Sequence, residues 1–141
     1  METLDLILSR TNLNEAYKQV YKNKGASGVD GVTVFELKSY LRENGDKLIS
    51  DIKQRKYKPS PALRVTIPKD NGGVRLLGIP TVVDRVIEQA INQVLTPMFE
   101  PKFSEYSYGF RPKRNAHMAV LKSLEFMNEG FDWVVDIDLE R

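Results

Sequence analysis

The sequence predicts an α+β fold in which helices pack on a small antiparallel sheet. Three observations predict it. Apolar residues recur at helical spacing in several separate stretches. Residues 62–68 and 74–79 alternate like strands on either side of Asp70-Asn-Gly-Gly73, a hairpin turn signal. Trp133-Val-Val-Asp-Ile-Asp-Leu139 alternates again near the last residue. Composition agrees: the 141 residues are 41% hydrophobic and 28% charged, which suits one folded domain or a lobe of a larger one and excludes a disordered or collagen-like chain. No apolar run approaches the roughly 18 residues of a membrane span. The first residues lack the basic and apolar regions of a secretory signal. With no Cys, disulfide frameworks, thiol catalysis and thiolate zinc sites are excluded, and the one histidine removes His-pair metal sites. A reducing cytosol is the compatible compartment.

The elements follow in order. Asn12 and Glu15 have capping-box spacing, and Leu13, Ala16, Tyr17, Val20 and Tyr21 continue a helix that should stop near Lys24-Gly25. Gly25-Ala-Ser-Gly28-Val-Asp30-Gly31 is a loop. Thr33 and Glu36 make a second capping box, and Phe35, Leu37, Leu41, Leu48 and Ile52 mark one helix broken at Asn44-Gly45, or two helices. Ser60-Pro61 closes the helical region before the hairpin. Pro80 and Thr81 introduce a helix through Val83, Val86, Ile87, Ala90, Ile91, Val94 and Leu95 that should stop by Pro97. A loop over 101–112 carries Phe103, Tyr106, Tyr108 and Phe110. Asn115 caps a last helix, Gly130 breaks it, and the final strand should turn Trp133, Val135, Ile137 and Leu139 into the core. Domains seldom end just after such a strand, so the sequence is expected to be a piece of a longer chain.

A net charge of +2 hides an asymmetry. Residues 1–70 hold 13 Lys and Arg against nine acids, whereas residues 71–141 hold eight against ten. Lys53, Arg55, Lys56, Lys58, Arg64, Lys69 and Arg75 face only Asp70 in residues 53–75. Glu125, Glu129, Asp132, Asp136, Asp138 and Glu140 form an acidic stretch without a cation. One region suits polyanions and the other cations. Lys69 and Arg75, with the amides of Asn71, Gly72 and Gly73, suit a triphosphate or a nucleic-acid backbone, or they are solvated charges on an exposed hairpin. Asp136 and Asp138 share one strand face and are oxygen ligands of the kind Mg²⁺ takes, or simply its polar side. Ser107-Tyr-Gly-Phe-Arg-Pro-Lys-Arg114 interleaves rings and cations, either for nucleic acid or to fill the core beneath a loop. His117 is expected to be a structural hydrogen-bonding residue.

Together these blocks resemble the N-terminal part of the bacterial group II intron-encoded reverse transcriptases, or maturases. The resemblance covers essentially the whole chain. It runs through Gly25-Ala-Ser-Gly-Val-Asp-Gly31, Arg64-Val-Thr-Ile-Pro-Lys69, Gly73-Val-Arg-Leu-Leu-Gly-Ile-Pro-Thr81, Asp84-Arg85, Phe99-Glu-Pro-Lys-Phe-Ser, Ser107-Tyr-Gly-Phe-Arg-Pro112 and Val135-Asp-Ile-Asp-Leu-Glu140.

The resemblance implies the fingers of a right-hand polymerase plus the first palm strand. Residues 1–32 would be an N-terminal extension and template-covering loop, 33–131 the fingers with a hairpin over 62–79, and 132–141 the palm strand. Lys69 and Arg75 match residues that bind the triphosphate of the incoming dNTP. Asp138 matches the first catalytic aspartate, a Mg²⁺ ligand of a two-metal site, and the Leu139 carbonyl would be a further ligand. Asp136 is not the aligned position. Lys24, Gly25, Ser27, Gly28, Arg64, Ile79, Pro80 and Arg85 fall in stretches that meet template RNA, and Arg111 and Arg114 match backbone contacts. The (Tyr/Phe)-x-Asp-Asp motif does not occur in these residues. The resemblance therefore implies an RNA-directed DNA polymerase that also binds intron RNA and assists splicing and mobility, with RNA template, DNA primer and dNTP as partners. This chain alone is expected to be inactive. Other expectations are an RNA-binding or self-associating module, a homodimer through exposed surfaces, or the fingers of a retron-, diversity- or CRISPR-associated reverse transcriptase. The implied location is the bacterial cytoplasm.

Overall fold

The computed structural model describes residues 2–70 and 72–139. The expectations on Asn71, Glu140 and Arg141 lie outside those residues. The chain is α+β, with helices α1 (Thr3–Ile7), α2 (Arg10–Asn23) and α3 (Leu37–Lys53), strands β1 (Leu63–Pro68) and β2 (Val74–Ile79), then α4 (Val82–Phe99) and α5 (Ala116–Asn128). It forms two compact units, Met1–Met98 and Phe99–Arg141.

In the first unit α2, α3 and α4 meet on a core of Ala16, Val20, Val34, Leu37, Val82, Val83, Val86 and Ala90. The N-cap of α2 is Ser9 rather than Asn12, with the Ser9 hydroxyl accepting from the Asn12 N–H at 3.3 Å. Asn12 is used across the core instead. Its amide donates to the carbonyls of Ile7 and Ala90, each at 2.9 Å, and its Oδ1 accepts from Gln93 at 2.8 Å. A long-range polar tie therefore overrode the local capping signal.

The Glu36 carboxylate accepts from the Thr33 N–H at 2.9 Å and its hydroxyl at 2.7 Å, the side-chain half of the expected capping box. Those bonds, the N–H bond first, hold the Glu36 carboxyl below its usual range. α3 runs unbroken through Asn44-Gly45. The apolar face continues on both sides of Gly45, so packing carries the helix across a residue that only weakens it. α4 likewise continues through Pro97 to Phe99. A proline forfeits its own N–H bond and crowds the carbonyl four residues back, so the cost falls on one turn while the rest of α4 keeps its bonds.

β1 and β2 pair antiparallel, with Leu63 opposite Ile79, Arg64 opposite Gly78 and Ile67 opposite Arg75. The turn closes through the Lys69 N–H donating to the Gly73 carbonyl at 2.7 Å. Leu63, Val65, Val74, Leu76 and Leu77 are all exposed on this ribbon.

In the second unit, none of the described residues is fully buried. The Phe126 ring lies 5.7 Å from Tyr106 and 6.0 Å from Phe131, and Lys122 sits over Phe126 at 5.0 Å. The Asn115 side chain caps α5 by accepting from the Met118 N–H at 3.0 Å, as its spacing predicts. The final strand does not form among the described residues. Trp133 and Leu139, expected in the core, are 94% and 92% exposed. A strand exists only with a partner's N–H and C=O groups beside it, and among the described residues β1 and β2 pair only with each other.

Val86→Ala in the core of α4 should cost about 2 kcal/mol in urea unfolding, whereas Val120→Ala on exposed α5 should change stability by less than about 0.5 kcal/mol.

Candidate nucleic-acid interface

The first turn of α4 organises the first unit. The Thr81 hydroxyl accepts from the Asp84 N–H at 3.1 Å and donates to its carboxylate at 2.6 Å. Thr81 and Asp84 are buried, Asp84 to 4% exposure. Two further donors reach the same carboxylate from the segment between α3 and β1: the Ser60 N–H at 3.2 Å and the Tyr57 hydroxyl. An uncompensated buried carboxylate would cost several kcal/mol, and three donors plus the positive end of α4 offset that. Burial, then the hydrogen bond to Asp84, push the Tyr57 phenol well above its ordinary value. Sequence reasoning missed Tyr57 and Ser60. The Thr81-Val-Val-Asp84 spacing, a capping box with Asp in place of Glu, was the available signal.

The loop over residues 24–31 closes on the same turn. A Cβ on Gly28 would lie 2.7 Å from the Thr81 Cα and 2.8 Å from its nitrogen, so the two backbones touch where only glycine fits. The half-buried Arg85 donates to the Ala26 carbonyl and holds the loop from the side. Lys24 opens the loop, exposed, with a left-handed φ of 52°. The structure thus gathers Gly25, Gly28, Pro80 and Arg85 around α4, with Ser27 half-buried in the loop and Ile79 half-buried at the hairpin base. Arg64 is exposed opposite Gly78.

Lys69 and Arg75 lie at the far end of the ribbon. The register puts them on one face, since Lys69 bonds Gly73 and Arg75 lies two residues beyond. Both are exposed, about 13 Å of strand separates Arg75 from Ile79, and neither joins the cluster at α4.

In the second unit the Arg111 side chain is 8% exposed. Its guanidinium donates to Glu100 Oε1 at 2.8 Å and to the carbonyls of Ser104 and Ser107 at 2.6 and 2.9 Å, so it fastens the aromatic loop from within. Arg114 donates to the Glu105 carbonyl at 2.9 Å and lies 5.3 Å over the Tyr108 ring. Phe110 is fully exposed at a left-handed φ of 55°, so it fills no core among the described residues. The His117 side chain is exposed and makes no hydrogen bond among the described residues, against the expectation of a structural hydrogen-bonding role.

Asp138 is exposed, and its Oδ1 accepts from the Leu139 N–H at 2.9 Å. Among the described residues no group of three or more His, Cys, Asp or Glu could hold a metal ion. One exposed carboxylate beside Asp136 does not by itself fit a two-ion Mg²⁺ site. No helix among the described residues is long and apolar enough to cross a membrane.

A small α+β scaffold that sets cations on a hairpin and a glycine-bearing loop against one helix end suits a nucleic-acid-handling protein. Residues 67–141 match the family model described as reverse transcriptase (RNA-dependent DNA polymerase), and the chain belongs to that family. Within it, the chain belongs to the group II intron-encoded branch. It is 37% identical over 126 residues to the Group II intron-encoded protein LtrA of Lactococcus lactis subsp. cremoris, covering 89% of this chain and 21% of that protein. It is 37% identical over 142 residues to Protein YkfC of Escherichia coli strain K12, covering 96% of this chain and 37% of that protein. To Nuclear intron maturase 1, mitochondrial, of Arabidopsis thaliana it is 29% identical over 119 residues, covering 77% and 16%. The chain thus spans between about a sixth and two fifths of the length of these curated relatives.

Raising the phenol pKa means that Tyr57 keeps its proton longer folded than unfolded. Its contribution is therefore fully present below the ordinary phenol value of about 10 and is lost as pH rises beyond it. Urea midpoints measured from pH 8 to 11 should fall at the alkaline end for the wild-type chain, and Tyr57→Phe should flatten that fall.

Proposed function

We propose that this chain is the fingers region, with the first palm segment, of an RNA-directed DNA polymerase of a group II intron. One observation carries the reading: the reverse transcriptase match runs from residue 67 through Lys69, Arg75, Arg111, Arg114 and Asp138. In this reading residues 1–32 are an N-terminal extension and template-covering loop, and 33–131 are the fingers. Lys24, Gly25, Ser27, Gly28, Arg64, Ile79, Pro80 and Arg85 line the path of template RNA. The glycine contact at Thr81 and the Arg85 bond to Ala26 support a loop held in place before RNA arrives. Lys69 and Arg75, sharing a face of the hairpin, neutralise charge on the dNTP triphosphate. Arg114 meets nucleic-acid backbone, while Arg111 supports it by holding the loop. Asp138 and the Leu139 carbonyl contribute to a Mg²⁺ site whose other carboxylates belong to the rest of the polymerase. The parent protein pairs an RNA template with a DNA primer, binds its intron RNA, assists splicing and mobility, and works in the cytoplasm.

The 141-residue chain should bind RNA but not polymerise. Affinity for single-stranded RNA should fall steeply from about 50 to 200 mM salt, as counterion release requires. Primer extension by the purified chain should be undetectable. Salt-insensitive binding or measurable extension would contradict the reading.

A second reading, self-association, is favoured by Trp133, Val135, Ile137 and Leu139, each four-fifths or more exposed. Light scattering against concentration should then show oligomers that Trp133→Ser reduces.

A further inference from the structure

The segment after α3 carries more charge than the template assignments use. Between residues 53 and 64 stand Lys53, Arg55, Lys56, Lys58 and Arg64 with no acid. Lys53 has an ion pair, 3.8 Å from Asp5. Among the described residues the side chains of Arg55 and Lys58 make no hydrogen bond or ion pair. Among those residues the Lys56 ammonium donates only to the neutral Gln54 Oε1, at 2.7 Å.

The backbone beneath these cations is fixed at both ends. At the α3 terminus the Arg55 N–H donates to the Ile52 carbonyl at 3.0 Å and the Lys56 N–H to the Asp51 carbonyl at 2.8 Å. That bond pair is the Schellman arrangement, whose left-handed position is ordinarily glycine. Here the position is Arg55, at φ 57°. A long side chain at a strained position, exposed and unpaired, points to use of the side chain rather than of the turn. Further on, Tyr57 and the Ser60 N–H grip the buried Asp84. Tyr57 is half-buried while its neighbours Lys56 and Lys58 are both exposed, so the inward ring leaves the two ammonium groups outside.

We propose that Arg55, Lys56 and Lys58 form a preorganised phosphate-contacting edge for single-stranded RNA, additional to the residues assigned to the template path. The proposal rests on the reading of the chain as RNA-binding. The cations are strung along the segment rather than converging, which matches repeated phosphates better than one small anion. Only Tyr57 among residues 53–61 is a large apolar group, and it is turned to Asp84, so the edge lacks the exposed anchors of a membrane-surface segment. A backbone tied to α3 and Asp84 loses little freedom when RNA binds.

The test uses the 141-residue chain and a short fluorescent oligo-uridylate, with affinity measured across salt. Each single-strand phosphate contact contributes about 0.7 to the slope of log affinity against log salt. R55G should lower the slope by about 0.7 while keeping or raising the melting temperature, because glycine suits that φ. K56Q/K58Q should lower the slope by about 1.4 without changing the melt. A fall in binding without a fall in stability is what a merely structural arginine could not give. Wild-type slopes in both variants overturn the proposal, as does loss of binding to phosphatidylserine vesicles with RNA binding intact. Failure of the wild-type chain to bind the RNA overturns the underlying reading as well.

Discussion

A carboxylate sealed from water at the first turn of α4 has to be surrounded by donors, and the chain meets that requirement by bringing distant segments to it. Asp84 takes a hydroxyl from its own cap, Thr81, and a hydroxyl and an N–H from Tyr57 and Ser60. Buried acceptors of this kind are costly when a donor is removed, so the segments that supply donors are not free to wander. The same turn meets the loop over residues 24–31, through the backbone contact of Gly28 with Thr81 and the Arg85 bond to Ala26. Loop, connector and hairpin base are therefore set by one helix end, behind which Val82, Val83, Val86 and Ala90 anchor the helix in the core.

This division of labour explains why the arginines differ in character. Arg85 and Arg111 look alike in sequence to Arg55, Arg64 and Arg75, but their guanidinium groups are engaged by carbonyls of their own unit. Lys24, Arg55, Lys58, Arg64, Lys69 and Arg75 remain exposed. Within each unit, then, one arginine is spent on shaping a loop.

Much of the fold was legible because it rests on local signals. The hairpin followed from alternation and Asp70-Asn-Gly-Gly73, α4 from its 3.6-residue apolar period, and the α5 cap from Asn115. The departures came where tertiary structure outweighed a local preference. Asn12 was drawn to Ala90 and Gln93, leaving the cap to Ser9. Packing on both sides of Gly45 kept α3 whole. The strand expected at 133–139 has the right alternation, but alternation specifies a face and not a partner. At the candidate interface the basic run and the glycine loop could be read directly. The Asp84 cluster could not, because its donors lie 24 and 27 residues away in sequence and only folding unites them.

The most direct test of this account is site-resolved amide exchange on Asp84→Asn alongside its RNA affinity. An amide side chain cannot accept from all three donors as the carboxylate does. Protection at Ser60 and through residues 25–31 should fall together with RNA affinity, while α2 and α3 stay protected. If Ser60 and the loop remain protected, or RNA affinity is untouched when they open, then Asp84 is not what holds the proposed RNA-binding face in place.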